Sequence, residues 1–318
     1  MKILITGGAG YIGNILVEEL LKRENKNFRT PEVTVYDNLK YKQNCLLQFC
    51  NNPSFRFIKG DVRDKNKLLS EISTHDVIIP LAAIVGFPAC EEDKSLATQV
   101  NYEQLEFIVK NATRDQRIVY PNTNSGYGVG EGDGFCTEET PLNPISHYGV
   151  TKCDAEDAVL GDRRGISLRL ATVFGASQRM RLDLLVNDFV YKAMFDKYIV
   201  LFEHAFKRNF IHVRDVAHAF IHMIHNYNEN MGEAFNVGLS DCNISKMELC
   251  NTIKETIPDF VIKTDDFAKD PDKRDYIVLN DKIEKTGWSA EHSLTSGIEE
   301  LIKAYSIVSE SKTQFTNL

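Results

Sequence analysis

The chain opens on Lys2-Ile3-Leu4-Ile5-Thr6 and passes straight into Gly7-Gly8-Ala9-Gly10-Tyr11-Ile12-Gly13. A β-branched run, a turn with GxxGxxG spacing and the start of a helix, met in that order, admit few architectures. Glycine permits the tight turn and lets backbone approach a phosphate, while the unpaired amides of a helix N-terminus supply positive potential. Ile12, Leu16, Val17, Leu20 and Leu21 give the predicted helix Tyr11–Arg23 an apolar face with which to cover a sheet. The spacing alone is common; its context makes a dinucleotide pyrophosphate site the expectation for Gly7, Gly10 and Gly13.

The same alternation continues to residue 175. Strands are predicted at Lys2–Thr6, Val33–Tyr36, Phe55–Lys59, Val77–Pro80, Arg117–Pro121 and Ser167–Ala171, with helical segments such as Tyr102–Asn111 between them. Alternating strands and helices imply an α/β chain with a doubly wound parallel sheet. After Gly175 the regularity fails: Ser177–Arg208 is a basic and apolar mixture, followed by a predicted helix Val213–Tyr227, a strand Ala234–Val237, a helix Lys246–Ile257, a charged stretch Asp265–Asp275 and a last helix near Leu294–Tyr305. The expected organisation is a nucleotide-binding domain over residues 1–175, with 213–238 returning to it. A smaller mixed α/β substrate region would take 176–212 and 239–308, and the polar residues 309–318 would form a frayed tail. No internal repeat or low-complexity linker interrupts the chain.

Composition narrows the functions. At 318 residues and 43% apolar the chain has material for a sizeable core. Its apolar runs fall short of the roughly 20 residues of a membrane span, and its start lacks the apolar segment of a signal peptide, so a cytoplasmic protein without membrane contact is expected. A formal charge of -8 argues against nucleic acid as a partner, which requires clustered Lys and Arg. Seven scattered cysteines without a CxxC pair suggest neither a disulfide framework nor a metal site.

Two further groups carry chemistry. Asp37 ends the second predicted strand, where a carboxylate accepts hydrogen bonds from both ribose hydroxyls and repels a 2′-phosphate; NAD is favoured over NADP, with Lys40 and Lys42 close enough to blunt the preference. Tyr148 and Lys152 lie four apart on a predicted helix and share a face. A lysine ammonium beside a phenol favours the phenolate, a base able to take a proton from a sugar hydroxyl as hydride leaves its carbon. Without the glycine loop, such a pair is better read as an exposed tyrosine and a solvated lysine. Upstream, Asn122-Thr123-Asn124-Ser125 leaves a predicted strand end that faces the ligand crevice of an open sheet, where Thr123 can hold the reacting oxygen or merely cap a turn.

Taken together, these ordered motifs resemble the extended short-chain dehydrogenase/reductase family, the NAD-dependent nucleotide-sugar epimerases, dehydratases and dehydrogenases, from Lys2 to about Tyr305. The resemblance implies a Rossmann fold, NAD held by Gly7, Gly10, Tyr11, Ile12 and Gly13, and further cofactor contacts from Asp37, Asn38, Asp61, Val62, Leu81, Ala82, Ala83 and Asn101. It makes Thr123, Tyr148 and Lys152 the catalytic trio and places Asn122, Asn124, Ser125, Thr172, Asn187 and Arg208 on the substrate side. Arg274 corresponds to the family arginine that clamps the substrate diphosphate, a role suited to the guanidinium fork. Arg179 and Arg181 match less well and read equally as substrate contacts or surface ion-pair partners. The chain departs from the family where Pro80 replaces a common histidine, Thr172 a common asparagine, and Asn124 and Ser125 the aspartate and glutamate that follow the threonine of sugar 4,6-dehydratases. Without that acid/base pair, elimination of water is not expected.

Within the family, Pro121–Gly128 and Arg179–Phe189 look especially similar to the GDP-manno-heptose 4-dehydrogenases of bacterial capsule pathways. That implies a GDP-linked sugar and oxidation at C4. A 4-epimerase that oxidises C4 transiently is the alternative, and a catalytically silent NAD-sensing module a third, opposed by the intact Thr123, Tyr148 and Lys152. Relatives pair as homodimers through helices that correspond to Tyr102–Asn111 and Ser146–Leu160, so a homodimer is expected.

Overall fold

The structure, a computed structural model, describes residues 1–22, 30–129, 134–161, 164–265 and 275–308. Arg274, most of the charged stretch before it and the expected tail 309–318 lie outside the described residues.

β1 (Lys2–Thr6), β2 (Glu32–Asp37), β3 (Phe55–Lys59), β4 (Val77–Pro80) and β5 (Arg117–Thr123) join the strands Gly165–Leu170 and Ala234–Val237 in one seven-stranded sheet. Its spatial order is Ala234–Val237, Gly165–Leu170, β5, β4, β1, β2, β3, and every pairing is parallel. Both faces of the inner strands β1 and β4 are covered, and this explains why they read as continuous apolar runs, whereas the edge strand β3 is largely exposed and interleaves Arg56 and Lys59 with its apolar residues. Ile3, Ile5, Val77 and Ile79 enter one buried cluster while Leu4 and Ile78 enter the other. The chain builds outward from β1 to β3, then crosses back to begin β4 on the other side of β1. That reversal leaves a crevice beyond the C-terminal ends of β1 and β4.

The expected irregularity after Gly175 is only partial. Residues 172–212 and 243–264 form a second layer, with a three-stranded sheet in the order Asn243–Ser245, Lys207–His212, Thr172–Phe174, and a two-stranded one from Tyr198–Leu201 and Val261–Thr264, while Ala234–Val237 returns to the main sheet. The helix Leu185–Phe195 packs among them. These strands are short and their partners distant in sequence, so no local period marks them. One local element also differs from expectation. The segment taken as the helix Tyr102–Asn111 starts as a π-helical turn over Gln99–Glu103 and becomes α-helical at Gln104. The wider turn belongs with buried Asn101, whose amide bonds the backbone of Ile84 at 2.8 and 3.0 Å and the Thr151 hydroxyl at 3.2 Å. No helix among the described residues is long and apolar enough to cross a membrane.

Candidate active site

The crevice widens into a cavity of about 930 Å³ that runs from the glycine turn to the second layer. This is at the upper end of the roughly 300–1,000 Å³ typical of small-molecule sites and leaves room for two ligands end to end. At its near end Gly7 adopts φ +71°, and a Cβ there would stand 2.5 Å from the Ala82 amide nitrogen, so β1 and β4 meet at the turn. Gly13 lets the helix Tyr11–Lys22, α1, pack on the turn: a Cβ would lie 2.6 Å from the Gly8 Cα. Gly10, Tyr11, Ile12 and Gly13 then present the N-terminus of α1 to the cavity.

Asp37 fits a ribose. Its two oxygens accept from the amides of Ala9 at 3.0 Å and Leu39 at 2.8 Å, which ties β2 to the glycine turn. A carboxylate offers about four lone-pair sites, so two remain for hydroxyls. Burial pushes its pKa up, and the two amide bonds oppose that shift. Beyond it, Asn38, Asp61 and Val62 line the cavity; Arg63 bonds Asp61 through both Nε and Nη2 at 2.9 Å and holds its carboxyl well below the usual range. Leu81, Ala82 and Ala83 form the opposite wall. Asn101 does not reach the cavity: its amide is spent on Ile84 and Thr151, so it shapes the loop that follows Ala83 rather than touching a ligand.

On the floor, Thr123 ends β5, and Tyr148 and Lys152 project from the helix His147–Gly161, all three on the cavity wall. The Thr123 hydroxyl donates to the Ser125 hydroxyl at 3.0 Å and accepts from the Ser125 amide at 3.2 Å. Lys152 is buried, its ammonium 4.2 Å from the centre of the Tyr120 ring. Burial lowers its pKa from 10.5 to about 7. Beneath them lies a network that the sequence did not disclose. Buried Glu156, one helical turn past Lys152, accepts from Asn122 at 2.7 Å, from Ser167 at 2.5 Å and from Arg169 Nη2 at 2.7 Å. Glu156 therefore fixes the Asn122 amide at the cavity wall; its signal was a carboxylate on the Tyr148 helix facing Arg169 on the next strand.

Not every expected substrate residue converges. Asn122, Ser125, Thr172, Arg179, Arg181 and Arg208 line the cavity. Asn124 does not, being buried behind the turn that begins at Thr123. Asn187 is fully buried as well: it accepts from the Gly175 amide at 3.1 Å and donates to the Arg181 carbonyl at 3.0 Å and the Tyr11 hydroxyl at 3.3 Å, so it braces the wall from behind. Arg274 lies outside the described residues. At the far end Arg208 stands 5.5 Å over the Tyr276 ring, and Lys246, which sequence reasoning passed over, joins it on the wall. Lys246 begins a helix capped by Ser245 and Glu248, a capping box legible only in hindsight.

A doubly wound sheet, a glycine turn at its switch point and a Thr/Tyr/Lys floor define a dinucleotide-dependent enzyme that acts on a hydroxyl-bearing carbon. The profile of the NAD dependent epimerase/dehydratase family matches residues 3–238, and the chain belongs to that family, with NAD as its cofactor. It is 26% identical to a dTDP-D-glucose 4,6-dehydratase of Homo sapiens over 96% of this chain and 89% of that one. It is 32% identical to an uncharacterised UDP-glucose epimerase, YtcB, of Bacillus subtilis (strain 168) over 68% of this chain and 70% of that one. Among solved structures it resembles the dTDP-glucose 4,6-dehydratase DesIV of Streptomyces venezuelae with NAD and TYD bound, with a TM-score of 0.84 and 25% identity over 96% and 97% of the two chains.

Proposed function

We propose that the protein oxidises C4 of a nucleotide-diphosphate sugar. The observation that carries this reading is the floor itself: Thr123, Tyr148 and Lys152 share the cavity wall, whereas Asn124 and Ser125 follow Thr123 in place of an acid pair. Among the described residues, the carboxylates that line the cavity are Asp37, Asp61, Asp183 and Asp188. Asp61 is bonded to Arg63, Asp183 to Arg181 and Asp188 to Lys192. Removing water across C5 and C6 needs an acid and a base at those carbons, so the dehydratase chemistry named for several relatives is not carried over.

In the forward step the Tyr148 phenolate takes the proton from O4 while Thr123 holds that oxygen. NAD, when bound, supplies the acceptor for the hydride that leaves C4. Lys152 works against its own burial: an ammonium held down to a pKa of about 7 is restored by an adjacent phenolate, so the two charged forms appear together. At the far end Arg208 and Lys246 meet the substrate's diphosphate.

The local similarity of Pro121–Gly128 and Arg179–Phe189 supports a GDP-linked manno-heptose as substrate, which makes the protein a GDP-manno-heptose 4-dehydrogenase. The relative named as a UDP-glucose epimerase supports a second reading, return of hydride to the opposite face at C4. Incubation with GDP-manno-heptose, GDP-mannose, UDP-glucose and UDP-GlcNAc, followed by cofactor absorbance and product mass, separates them. A product lighter by two hydrogens marks the dehydrogenase and an isomer the epimerase; loss of water overturns both. The protein acts as a homodimer through the helix His147–Gly161, on which Val150 stands exposed, and the helical segment before it. Light scattering that shows a monomer at working concentration overturns that assignment.

A further inference from the structure

Among the described residues, seven cations line the cavity, and most have an evident place. Arg63 is bonded to Asp61 and Arg181 to Asp183, Lys152 belongs to the floor, and Arg208 and Lys246 hold the far end. Lys40 is exposed and stands 5.7 Å over the Tyr41 ring. Arg179 is 4% exposed and its Nη1 donates to the Met180 carbonyl at 2.6 Å, so it is held in place at the wall, although it belongs to the segment whose similarity suggested a substrate role.

Its surroundings are those of the cofactor. The guanidinium stacks 5.1 Å over Tyr41, on the loop that follows β2 and Asp37. The same loop is fastened to the glycine turn: the Cys45 thiol donates to the Ala9 carbonyl at 3.3 Å, and the Asn14 amide of α1 donates to the Cys45 carbonyl at 3.2 Å. The backbone on either side of Arg179 is pinned to that end too. The Ser177 hydroxyl donates to the Tyr11 carbonyl at 3.0 Å and accepts from the Arg179 amide at 3.3 Å, and Gln178 donates to Gln48 at 2.7 Å. Burial, with the like charge of Arg181, presses its pKa down, a cost that an anion beside it would offset.

We infer that Arg179 is a cofactor residue: with Tyr41 as its cushion, it clamps the dinucleotide diphosphate from the cavity side while the amides of Gly10–Gly13 hold it from the helix side. One dianion is then gripped by backbone dipoles and by a bidentate guanidinium supplied from the second layer. The inference rests on the NAD site and not on the identity of the sugar, so it stands or falls separately from the C4 chemistry.

Binding titrations on the purified full chain test it, with NAD, ADP-ribose, adenosine and GDP as probes. In Arg179→Ala, affinity for NAD and for ADP-ribose falls about tenfold to a hundredfold, as loss of a charge-assisted hydrogen bond requires, while adenosine, which lacks the diphosphate, and GDP bind as before. Arg179→Lys keeps a charge without the fork or the stacking plane; it folds as the parent does and loses a smaller part of the same affinity. Tyr41→Leu shifts NAD in the same direction. Unchanged NAD binding in both Arg179 variants overturns the inference, and loss of GDP affinity with NAD intact assigns Arg179 to the substrate instead. An equal loss for adenosine and NAD also overturns it, since that marks a damaged pocket rather than a lost diphosphate contact.

Discussion

The two ends of the cavity are built by opposite means. The near end is made largely of backbone and residues close to the glycine turn, with Arg179 brought to it from the second layer: the amides of Gly10–Gly13, the Gly7 turn against Ala82, and Asp37 one strand away. At the far end the side chains come from separated strands and a helix start, with Arg208 on Lys207–His212 and Lys246 after Asn243–Ser245. A backbone site depends on local conformation and is damaged by distorting the chain, whereas a side-chain site depends on tertiary placement and is damaged by deleting one group. The reacting floor lies between them, and each substitution below should show a signature of the end to which it belongs.

The largest effect is expected where the ends meet. Tyr148→Phe removes the hydroxyl proposed as the base and should cost turnover about 10²–10⁴-fold, with NAD and GDP affinities unchanged. Full turnover in that variant would remove the base from Tyr148 and the distinction between floor and ends with it. Lys152→Met should abolish turnover and yet stabilise the fold. The native lysine titrates near 7 and the unfolded one near 10.5, so between those values the unfolded chain binds the extra proton and stability rises with pH. Below about pH 7 the burial penalty is fully present. Unfolding midpoints of Lys152→Met should lack that rise and exceed those of the parent at neutral pH; a parallel pH profile in both proteins would contradict a buried ammonium.

Gly7→Ala tests the backbone end. A Cβ there requires φ +71° of an alanine and overlaps Ala82, which together cost about 2–5 kcal/mol. NAD binding should fall with the unfolding midpoint, because the turn and the site are the same atoms. A Gly7→Ala variant that keeps its midpoint but loses NAD would show that the cradle is not built by the turn's conformation.

This contrast also explains what the sequence made legible. The glycine turn, Asp37, Tyr148 and Lys152 could be found because each motif is contiguous or spaced along one element. Thr123 stood at a strand end whose position follows from the alternation. Glu156, Lys246 and the Arg179 stack on Tyr41 were not visible, because each depends on two segments meeting through the fold. Asn187 stands away from the cavity for the converse reason: an amide near a motif in sequence turns inward when backbone groups need a partner, as Gly175 and the Arg181 carbonyl claim Asn187.

Arg208→Ala tests the side-chain end and should be milder for the fold. The arginine lies at a cavity wall, and its loss should raise KM for the sugar nucleotide about tenfold to a hundredfold with kcat little changed. NAD affinity should stay at the parent value. A matched loss of NAD affinity would mean that the two ends are not separate sites.

The smallest effect should come from the link between them. Tyr11 gives its amide to the near end, while its hydroxyl donates to the Gly175 carbonyl at 2.7 Å and receives the Asn187 amide at 3.3 Å. Tyr11→Phe keeps the backbone and the packing but leaves that carbonyl and amide short of a partner, at about 1–2 kcal/mol of stability. The lost bonds lie at Gly175 and Asn187, whereas the Ser177 hydroxyl beside Arg179 still holds the Tyr11 carbonyl, so NAD affinity should hold. The KM for the sugar nucleotide should rise a few-fold as the wall that carries Thr172 and Arg181 loosens. If NAD and sugar nucleotide weaken equally, the hydroxyl supports the glycine turn itself, and the division of labour between the two ends would have to be drawn elsewhere.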